Sequence, residues 1–167
     1  EGSPVMHIDG FVRGRGNFVL TDYVPTDEKV GPRFPLLLTT GRILSQYNVG
    51  AQTRRTANTV WHDEDRLEIH PLDAADRGIA DGDWVEVCTA TGPVGRLRAK
   101  VTTGIHPEAV FMLHGFGRKT PQETRAFGKG VADEACMVSG LEHEDPLGGG
   151  LALQKHFVTI RKAEETN

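Results

Sequence analysis

The segment from Leu38 to Arg55, LTTGRILSQYNVGAQTRR, holds the residues of this chain whose types and spacing best suit ligand chemistry. The apolar run Phe34–Leu38 gives way abruptly to Thr40, Gly41 and Arg42. A strand that ends there presents backbone N–H groups, hydroxyls and a guanidinium, which are donors suited to phosphates and to the polar edge of a heterocycle. On residue type alone, the alternative for Arg42 is an ordinary surface arginine that caps a turn or pairs with an acid.

The same segment ends in Thr53, Arg54 and Arg55, a hydroxyl followed by two guanidiniums. Arginine binds phosphate through two parallel hydrogen bonds, so this end of the segment is a second candidate anion contact. The alternative is a solvated charged turn. The polar stretch at residues 41–62 predicts a long loop, and loops of this length within compact domains are usually functional.

A third candidate follows the continuous apolar run Ala109–Leu113, where the chain continues as His114, Gly115, Phe116 and Gly117. An imidazole between a strand end and two flexible residues is well placed to meet a ligand. The alternative is a tight loop that carries a lone histidine.

Other residue types that often carry chemistry favour structural roles here. His62 and His70 are eight residues apart and have no cysteine or carboxylate at a recognised ligand spacing, so we predict no metal site. Cys88 and Cys136 form no CxxC motif and are interpreted as packing residues. We predict no catalytic residue, and we assign the carboxylates of Asp73 and Asp81 to helix-end and turn roles.

Composition and charge narrow the class of protein. A chain of 167 residues with 20 Gly and 9 Pro fits one domain of short strands and many turns. The net charge of −4 favours neither a nucleic-acid partner nor a membrane surface, and no apolar run is long enough to cross a bilayer.

The elements that must position these residues are mostly short strands. We predict an irregular lead-in over 1–33 with a short strand at Asn17–Leu20, a barrel domain over 34–163 and a tail at 164–167. Alternating residues at 66–70, 84–89 and 95–101 predict antiparallel strands of one barrel, and Pro71 starts a short helix that runs to residue 77. Closing the barrel would remove exposed strand edges.

The Leu38–Arg55 segment resembles a signature of the C-terminal cofactor-binding domain of molybdenum and tungsten bis-pterin oxidoreductases, most closely that of the formate dehydrogenase large subunit. A second match is the pattern HPLDA followed by GIADGD, residues 70–83. The resemblance implies a mainly β fold, an aspartate decarboxylase-like double-psi β-barrel with short helices. It also implies a bound molybdopterin guanine dinucleotide whose Mo or W is held mainly by the rest of the enzyme.

The resemblance also implies which residues contact that cofactor. They are Thr40, Gly41, Arg42, Ile43, Gln46, Tyr47, Asn48, Thr53, Arg54, His114, Gly115, Gly117 and Lys155. Gln46 stands where related sequences often carry His, and Glu134 stands where some carry Asn.

The implied function is cofactor binding within a cytoplasmic formate dehydrogenase that converts formate to CO2. The expected partners are the remaining catalytic domains or subunit and iron–sulfur and electron-transfer subunits, without nucleic acid or membrane insertion. We expect no turnover by the chain alone, which would be a fragment or a small docking subunit. Residues 114–118 and 128–133 and the run DPLGGG at 145–150 look more like polysulfide and thiosulfate reductases. The alternatives are therefore the same domain of a sulfur-compound reductase, or a cofactor-free assembly domain.

Overall fold

The computed structural model describes residues 2, 4–20, 22, 30–117, 121–122, 127–136 and 156–164. In this part of the chain, six strands close into a barrel in the order β1-β5-β2-β4-β3-β6. The strands are β1 (Leu36–Gly41), β2 (Arg66–Ile69), β3 (Trp84–Thr89), β4 (Gly92–Val101), β5 (Ala109–Leu113) and β6 (His156–Lys162). The prediction of a mainly β, double-psi barrel with short helices is confirmed.

Two of the six strand pairs are parallel, namely β1 with β5 and β2 with β4, and the other four pairs are antiparallel. The prediction that the three alternating segments pair antiparallel is right for β3 with β4. β2 lies antiparallel to β5, but it is parallel to β4, with Arg66 beside Arg98, so an antiparallel pairing of these two segments is wrong. Alternation tells which face of a strand is buried, but it does not tell which way the neighbouring strand runs.

These directions give the barrel two different ends. Because β2 runs antiparallel to β5, the parallel pair β1/β5 and the parallel pair β2/β4 finish at opposite ends. The connections 42–65 and 114–155 both start and finish at one end, called here the loop end. The connections 70–83 and 102–108 lie at the other, called the helix end. The predicted cofactor contacts that the structure describes all belong to β1 or to a connection of the loop end.

The hydrophobic core fills the barrel. Alternate residues of each strand point inward, as in Leu36 and Leu38 of β1 or Val85 and Val87 of β3, and these side chains are almost fully buried. Burial of aliphatic side chains is the main favourable term in folding, at about 25 cal/mol per Å² of apolar surface. The predicted strand at Asn17–Leu20 does not form, and these residues are exposed coil, so their apolar side chains contribute nothing to this core.

At the helix end, helix α1 spans Pro71–Asp76. His70 caps it, because its Nδ1 accepts a hydrogen bond from the Leu72 N–H at 3.2 Å, and Pro71 occupies the first turn, where its missing N–H costs nothing. Gly78 ends the helix with a φ of +62°, a conformation that glycine adopts without strain. The predicted short helix is confirmed.

Asp73 and Asp81 have the structural roles that the sequence assigned to them. Asp73 Oδ2 accepts a hydrogen bond from the Glu108 N–H at 2.8 Å, and Asp81 Oδ1 accepts one from the Val101 N–H at 2.8 Å. Both carboxylates tie turns of the helix end together. Among the described residues, no helix has the length and apolarity needed to cross a membrane.

Candidate functional site

The chain leaves β1 at Gly41, close to the neighbouring strand. A Cβ atom at Gly41 would lie 2.8 Å from Cε2 of Phe111, so a larger residue would push against that ring. The next residue, Arg42, is exposed, and its Nη1 donates a hydrogen bond to Oδ1 of Asn48 at 3.1 Å. The structure therefore brings a guanidinium and an amide together at the surface of the loop end.

Three short 3-10 helices organise the connection 42–65: Asn48–Gly50, Thr53–Arg55 and Ala57–Val60. Buried Gln46 links them, because its Oε1 accepts from the Thr53 hydroxyl at 2.7 Å and its Nε2 donates to the His62 carbonyl at 2.9 Å. The Thr53 Oγ1 also accepts from the Tyr47 N–H at 3.0 Å. Gln46 and Thr53 thus hold the loop in shape, while the Tyr47 side chain is exposed.

Arg54 joins the two loop-end connections. Its side chain is 3% exposed, its Nη2 donates to the Phe116 carbonyl at 2.6 Å, and its Cζ lies 3.3 Å from the centre of the Phe116 ring. Arginine readily stacks on an aromatic face in this way. The guanidinium that the sequence assigned to a ligand contact has its described contacts within the protein.

The predicted residues after β5 pack tightly against the rest of the loop end. A Cβ atom at Gly115, whose φ is +61°, would lie 2.5 Å from Cγ1 of Val49. One at Gly117 would lie 2.3 Å from the backbone nitrogen of Ala132, and the Gly117 N–H donates to the Val131 carbonyl at 3.0 Å. Close packing of neighbouring segments is therefore sufficient to explain both glycines.

Two buried carboxylates, which the sequence analysis did not single out, form hydrogen bonds with the residues at the end of β5. Asp133 is 3% exposed, and it accepts from the Gly115 N–H at 2.6 Å and from His114 Nδ1 at 2.9 Å. Asp65, also 3% exposed, accepts from the Leu113 N–H at 3.0 Å. The signal for Asp133 was its place in the GKGVAD run, whereas Asp65 follows two other acids and looks like a surface residue.

The pKa of Asp65 departs strongly from that of an ordinary aspartate. The pKa of Asp65 is raised to about 7, mainly by burial and in smaller part by the charge of Asp133, and these causes outweigh the opposing hydrogen bond from the Leu113 N–H. Desolvation penalises the charged form of an acid, so a buried carboxylate binds its proton more tightly than one in water.

Within the described residues, one His/acid group has ligand atoms close enough to share a cation. His114, Asp133 and Glu134 each offer an atom within 4.8 Å of the others. The imidazole and the Asp133 carboxylate already bond each other, so this pair is satisfied as a hydrogen bond. This group contains neither His62 nor His70, the two histidines that the sequence analysis considered as metal ligands.

A cleft of about 640 Å³ lies beside the first loop. Its lining includes Ile43, Trp61, His62, Lys100 and Phe111, from the loop and from the strands β4 and β5. A volume of this size suits a cofactor-sized ligand. Of the predicted contact residues that the structure describes, Ile43 is the one that lines this cleft.

The remaining predicted residues have simpler outcomes. Thr40 is buried at the end of β1. Lys155 lies outside the described residues.

Both cysteines are free thiols; Cys136 is in the core, and burial raises its pKa to about 12. Cys88 is half-buried, and burial also raises its pKa. The packing interpretation is confirmed for Cys136.

The donors at the loop end suit a dinucleotide. The Arg42 guanidinium and the Asn48 amide stand together at the surface, where phosphate oxygens or a heterocycle edge would find charge-assisted and neutral hydrogen bonds. The residues present therefore fit the group that the sequence resemblance implied.

Comparison with known proteins gives the family. The model of the Molydopterin dinucleotide binding domain matches residues 36–157. The chain is 38% identical over 118 residues to the F420-dependent formate dehydrogenase 1 subunit alpha of Methanococcus maripaludis, a match that covers 69% of this chain and 17% of the relative. It is 38% identical over 117 residues to the assimilatory nitrate reductase catalytic subunit of Bacillus subtilis, covering 69% and 16%. The chain thus spans about a sixth of the length of these curated relatives.

Among solved structures, acetylene hydratase from Pelobacter acetylenicus matches with a TM-score of 0.64 over 78% of this chain and 18% of that chain. At 19% identity this likeness supports the fold alone. The family match covers β1–β5, both loop-end connections and the first two residues of β6, and it confirms the family and the molybdopterin dinucleotide that the sequence implied. The chain belongs to the molybdopterin dinucleotide-binding domains of molybdenum and tungsten oxidoreductases.

Proposed function

We propose that this domain holds one molybdopterin guanine dinucleotide in an enzyme that oxidises formate to CO2. The observation that carries the binding role is the exposed pair of Arg42 and Asn48, directly after β1 and beside the end of β5. Arg42 directly follows β1, and Asn48 lies in a 3-10 helix of a loop that Gln46 and Thr53 hold in shape. A ligand at that place would therefore meet ordered donors, which lose little entropy on binding.

The contribution of this domain is binding and orientation. When bound, the cofactor supplies the redox chemistry of its metal. Arg42 would donate to a phosphate or pterin oxygen, and Asn48, held by Arg42, would offer its amide to the same ligand. Arg54, Gln46 and Thr53 would act behind this surface by fixing the loop that carries it.

Formate as the substrate is supported by the named formate dehydrogenase relative and by the Leu38–Arg55 segment. The match to a nitrate reductase subunit is of similar identity and length, so the cofactor role is common to more than one substrate class. The proposal of formate as the substrate therefore rests on the specific, eighteen-residue segment Leu38–Arg55.

The sulfur-reductase alternative rests on the glycine-rich runs after β5. Gly115 packs on Val49 and Gly117 packs on Ala132, so the need for close packing accounts for these glycines without reference to a substrate. The DPLGGG run lies outside the described residues. Formate oxidation is for these reasons the preferred proposal.

The parent enzyme would add the parts that this chain lacks in its sequence. Two cysteines without a cluster motif cannot supply an iron–sulfur centre, so we propose that iron–sulfur and electron-transfer subunits, with the remaining catalytic domains, complete the enzyme. We propose a cytoplasmic location on the basis of the same resemblance.

The test is turnover by the complete enzyme, purified and supplied separately with formate, nitrate, thiosulfate and polysulfide. We expect formate oxidation and no comparable rate with the other three. Turnover of nitrate or a sulfur compound without formate oxidation would refute the substrate and leave the cofactor role standing.

A further inference from the structure

Two buried carboxylates hold three successive residues at the end of β5. Asp65 accepts from the Leu113 N–H, and Asp133 accepts from both His114 Nδ1 and the Gly115 N–H. The His114 N–H also donates to the Gly41 carbonyl at 2.8 Å, which continues the pairing of β5 with β1. The backbone and the ring of His114 are thus fixed from separate directions.

The contact with Asp133 determines where the imidazole carries its proton. An ionised carboxylate accepts hydrogen bonds and cannot donate them, so the ring nitrogen that faces it must be N–H. That nitrogen is Nδ1, 2.9 Å from Asp133 Oδ2. In the neutral ring Nε2 is then an acceptor, because a neutral imidazole has one donor and one acceptor nitrogen.

The burial of the two partners supports a positioning role. Asp133 is 3% exposed and is held by the Gly115 N–H, whereas the His114 side chain is 21% exposed and keeps contact with the surface of the loop end. A fixed buried carboxylate behind a partly exposed ring is an arrangement that orients the ring toward a ligand.

We infer that Asp133 is a positioning residue that fixes His114 as the Nδ1–H tautomer, and that Nε2 of His114 accepts a hydrogen bond from an N–H donor of the bound dinucleotide. The contact between Nε2 and the ligand rests on the proposed function, whereas the assignment of the tautomer does not. Amino groups and ring N–H groups of a pterin or a guanine belong to this donor class. Arg42, by contrast, would serve the oxygen acceptors of the same ligand.

The tautomer is tested by 15N NMR of histidine-labelled 167-residue chain at about pH 8, where an ordinary imidazole is neutral. Two other histidines give internal references. His70 Nδ1 accepts from the Leu72 N–H and must be Nε2–H, and His106 Nδ1 lies 2.7 Å from the Pro107 carbonyl and should be Nδ1–H. The His114 signals are identified by their loss in His114→Gln.

We expect His114 to show the Nδ1–H pattern, like His106 and unlike His70. Asp133→Asn should shift His114 toward Nε2–H and leave both references unchanged. A wild-type His114 with Nε2–H, or with both nitrogens protonated, would overturn the inference. The wild-type spectrum decides this even where Asp133→Asn does not fold, and Asp133→Glu, which keeps the carboxylate, should retain the Nδ1–H pattern.

The contact between Nε2 and the ligand is tested by cofactor retention in the complete enzyme. His114→Phe keeps a planar ring without nitrogen, and we expect retention to fall about 3- to 10-fold, the loss of one neutral hydrogen bond. If Arg42→Ala lowers retention and His114→Phe does not, the Nε2 contact is wrong and the proposed function stands. If neither variant lowers retention, the proposed site itself is wrong, while the NMR result still decides the tautomer.

Discussion

The two ends of the barrel differ in the charges that surround their buried acids. At the helix end, Asp73 accepts from the Glu108 N–H and has the Arg77 guanidinium 3.6 Å from its Oδ1, so its charge is paired. At the loop end, Asp65 accepts from the Leu113 N–H and lies near a second buried acid, Asp133, and its pKa is raised to about 7. Both ends close a pair of parallel strands, but within the part of the chain that the structure describes, a basic side chain pairs with the acid at the helix end and not with Asp65 at the loop end.

This difference shows at which end of the barrel the fold contains an energetically unfavourable buried carboxylate. Burying a carboxylate is unfavourable unless hydrogen bonds and opposite charge compensate it. The helix end is a conventional closure, with a capped helix and paired side chains. The loop end keeps a costly arrangement that orders residues 113–115, and the exposed Arg42 and Asn48 stand on the same end. Such departures from local stability are expected where a protein binds its ligand.

The largest expected difference between the ends comes from two glycines. Gly117→Ala would place a Cβ atom 2.3 Å from backbone nitrogen, which cannot move aside, and we expect a loss of about 3 kcal/mol or more in the free energy of unfolding. The control is Gly104→Ala at the helix end, where the nearest atom is the Thr102 hydroxyl oxygen at 3.3 Å. We expect it to change stability by less than about 0.5 kcal/mol. Urea unfolding of both variants measures this, and equal effects would contradict the packing described for the loop end.

The second prediction concerns the pH dependence of stability. Folding raises the pKa of Asp65 from 3.8 to about 7, so the folded chain binds this proton more tightly than the unfolded chain. The resulting stabilisation is complete below about pH 4 and is lost as the pH rises toward 7. Each pH unit in this window removes up to about 1.4 kcal/mol.

Asp65→Asn removes this titration and keeps an oxygen for the Leu113 N–H. We therefore expect the free energy of unfolding of the variant to rise relative to wild type between pH 4 and 7, and the difference to level off above that range. Asp73→Asn at the helix end is the matched comparison. A difference between wild type and Asp65→Asn that stays constant with pH would show that Asp65 titrates normally.

The third prediction compares two arginines. Arg54→Met removes a buried hydrogen bond to the Phe116 carbonyl and the stacking on its ring, and we expect a loss of about 2–3 kcal/mol. Arg77→Met at the helix end removes a half-buried contact with Asp73, with an expected loss of about 1 kcal/mol. Thermal unfolding of both variants gives the comparison, and a reversed order would mean that Arg54 does not join the two loops.

The smallest expected effect concerns the cysteines. Cys136→Ser places a hydroxyl in the core and we expect a cost of about 1–2 kcal/mol, while Cys88→Ser on a half-buried strand position costs less. Because the pKa of Cys136 is raised to about 12, we also expect its thiol to resist alkylation at neutral pH until the chain unfolds. Rapid labelling of Cys136 in the folded chain, or loss of metal from the complete enzyme in the Cys→Ser double mutant, would contradict the packing role.

The sequence predicted the barrel better than the site. Alternation located β2 and β3, a continuous apolar run located β5, and Pro71 marked the start of the helix, because these signals are local. The parallel pairing of β2 with β4 depends on how the intervening helix and strand cross the barrel end, which no local pattern encodes. Asn17–Leu20 shows the reverse error, since these strand-forming residues pair with no strand among the described residues and stay as coil.

At the candidate site, the sequence singled out the segments but could not separate exposed residues from buried ones. Arg42 and Arg54 have the same residue type within one motif, yet the first is exposed and the second is buried under Phe116. The difference depends on a contact 62 residues along the chain. Asp133 was likewise visible as part of a motif, but its hold on His114 and Gly115 required the fold.

The central claim is that the loop end, through Arg42, holds the dinucleotide. It is tested most directly by the pterin content of the complete enzyme after purification, for wild type, Arg42→Ala and the helix-end control Arg77→Ala. We expect Arg42→Ala to weaken retention by roughly 1.5–3 kcal/mol, which is about tenfold or more, and Arg77→Ala to retain wild-type cofactor. A folded Arg42→Ala enzyme with full pterin content would contradict the claim, as would an equal loss in Arg77→Ala.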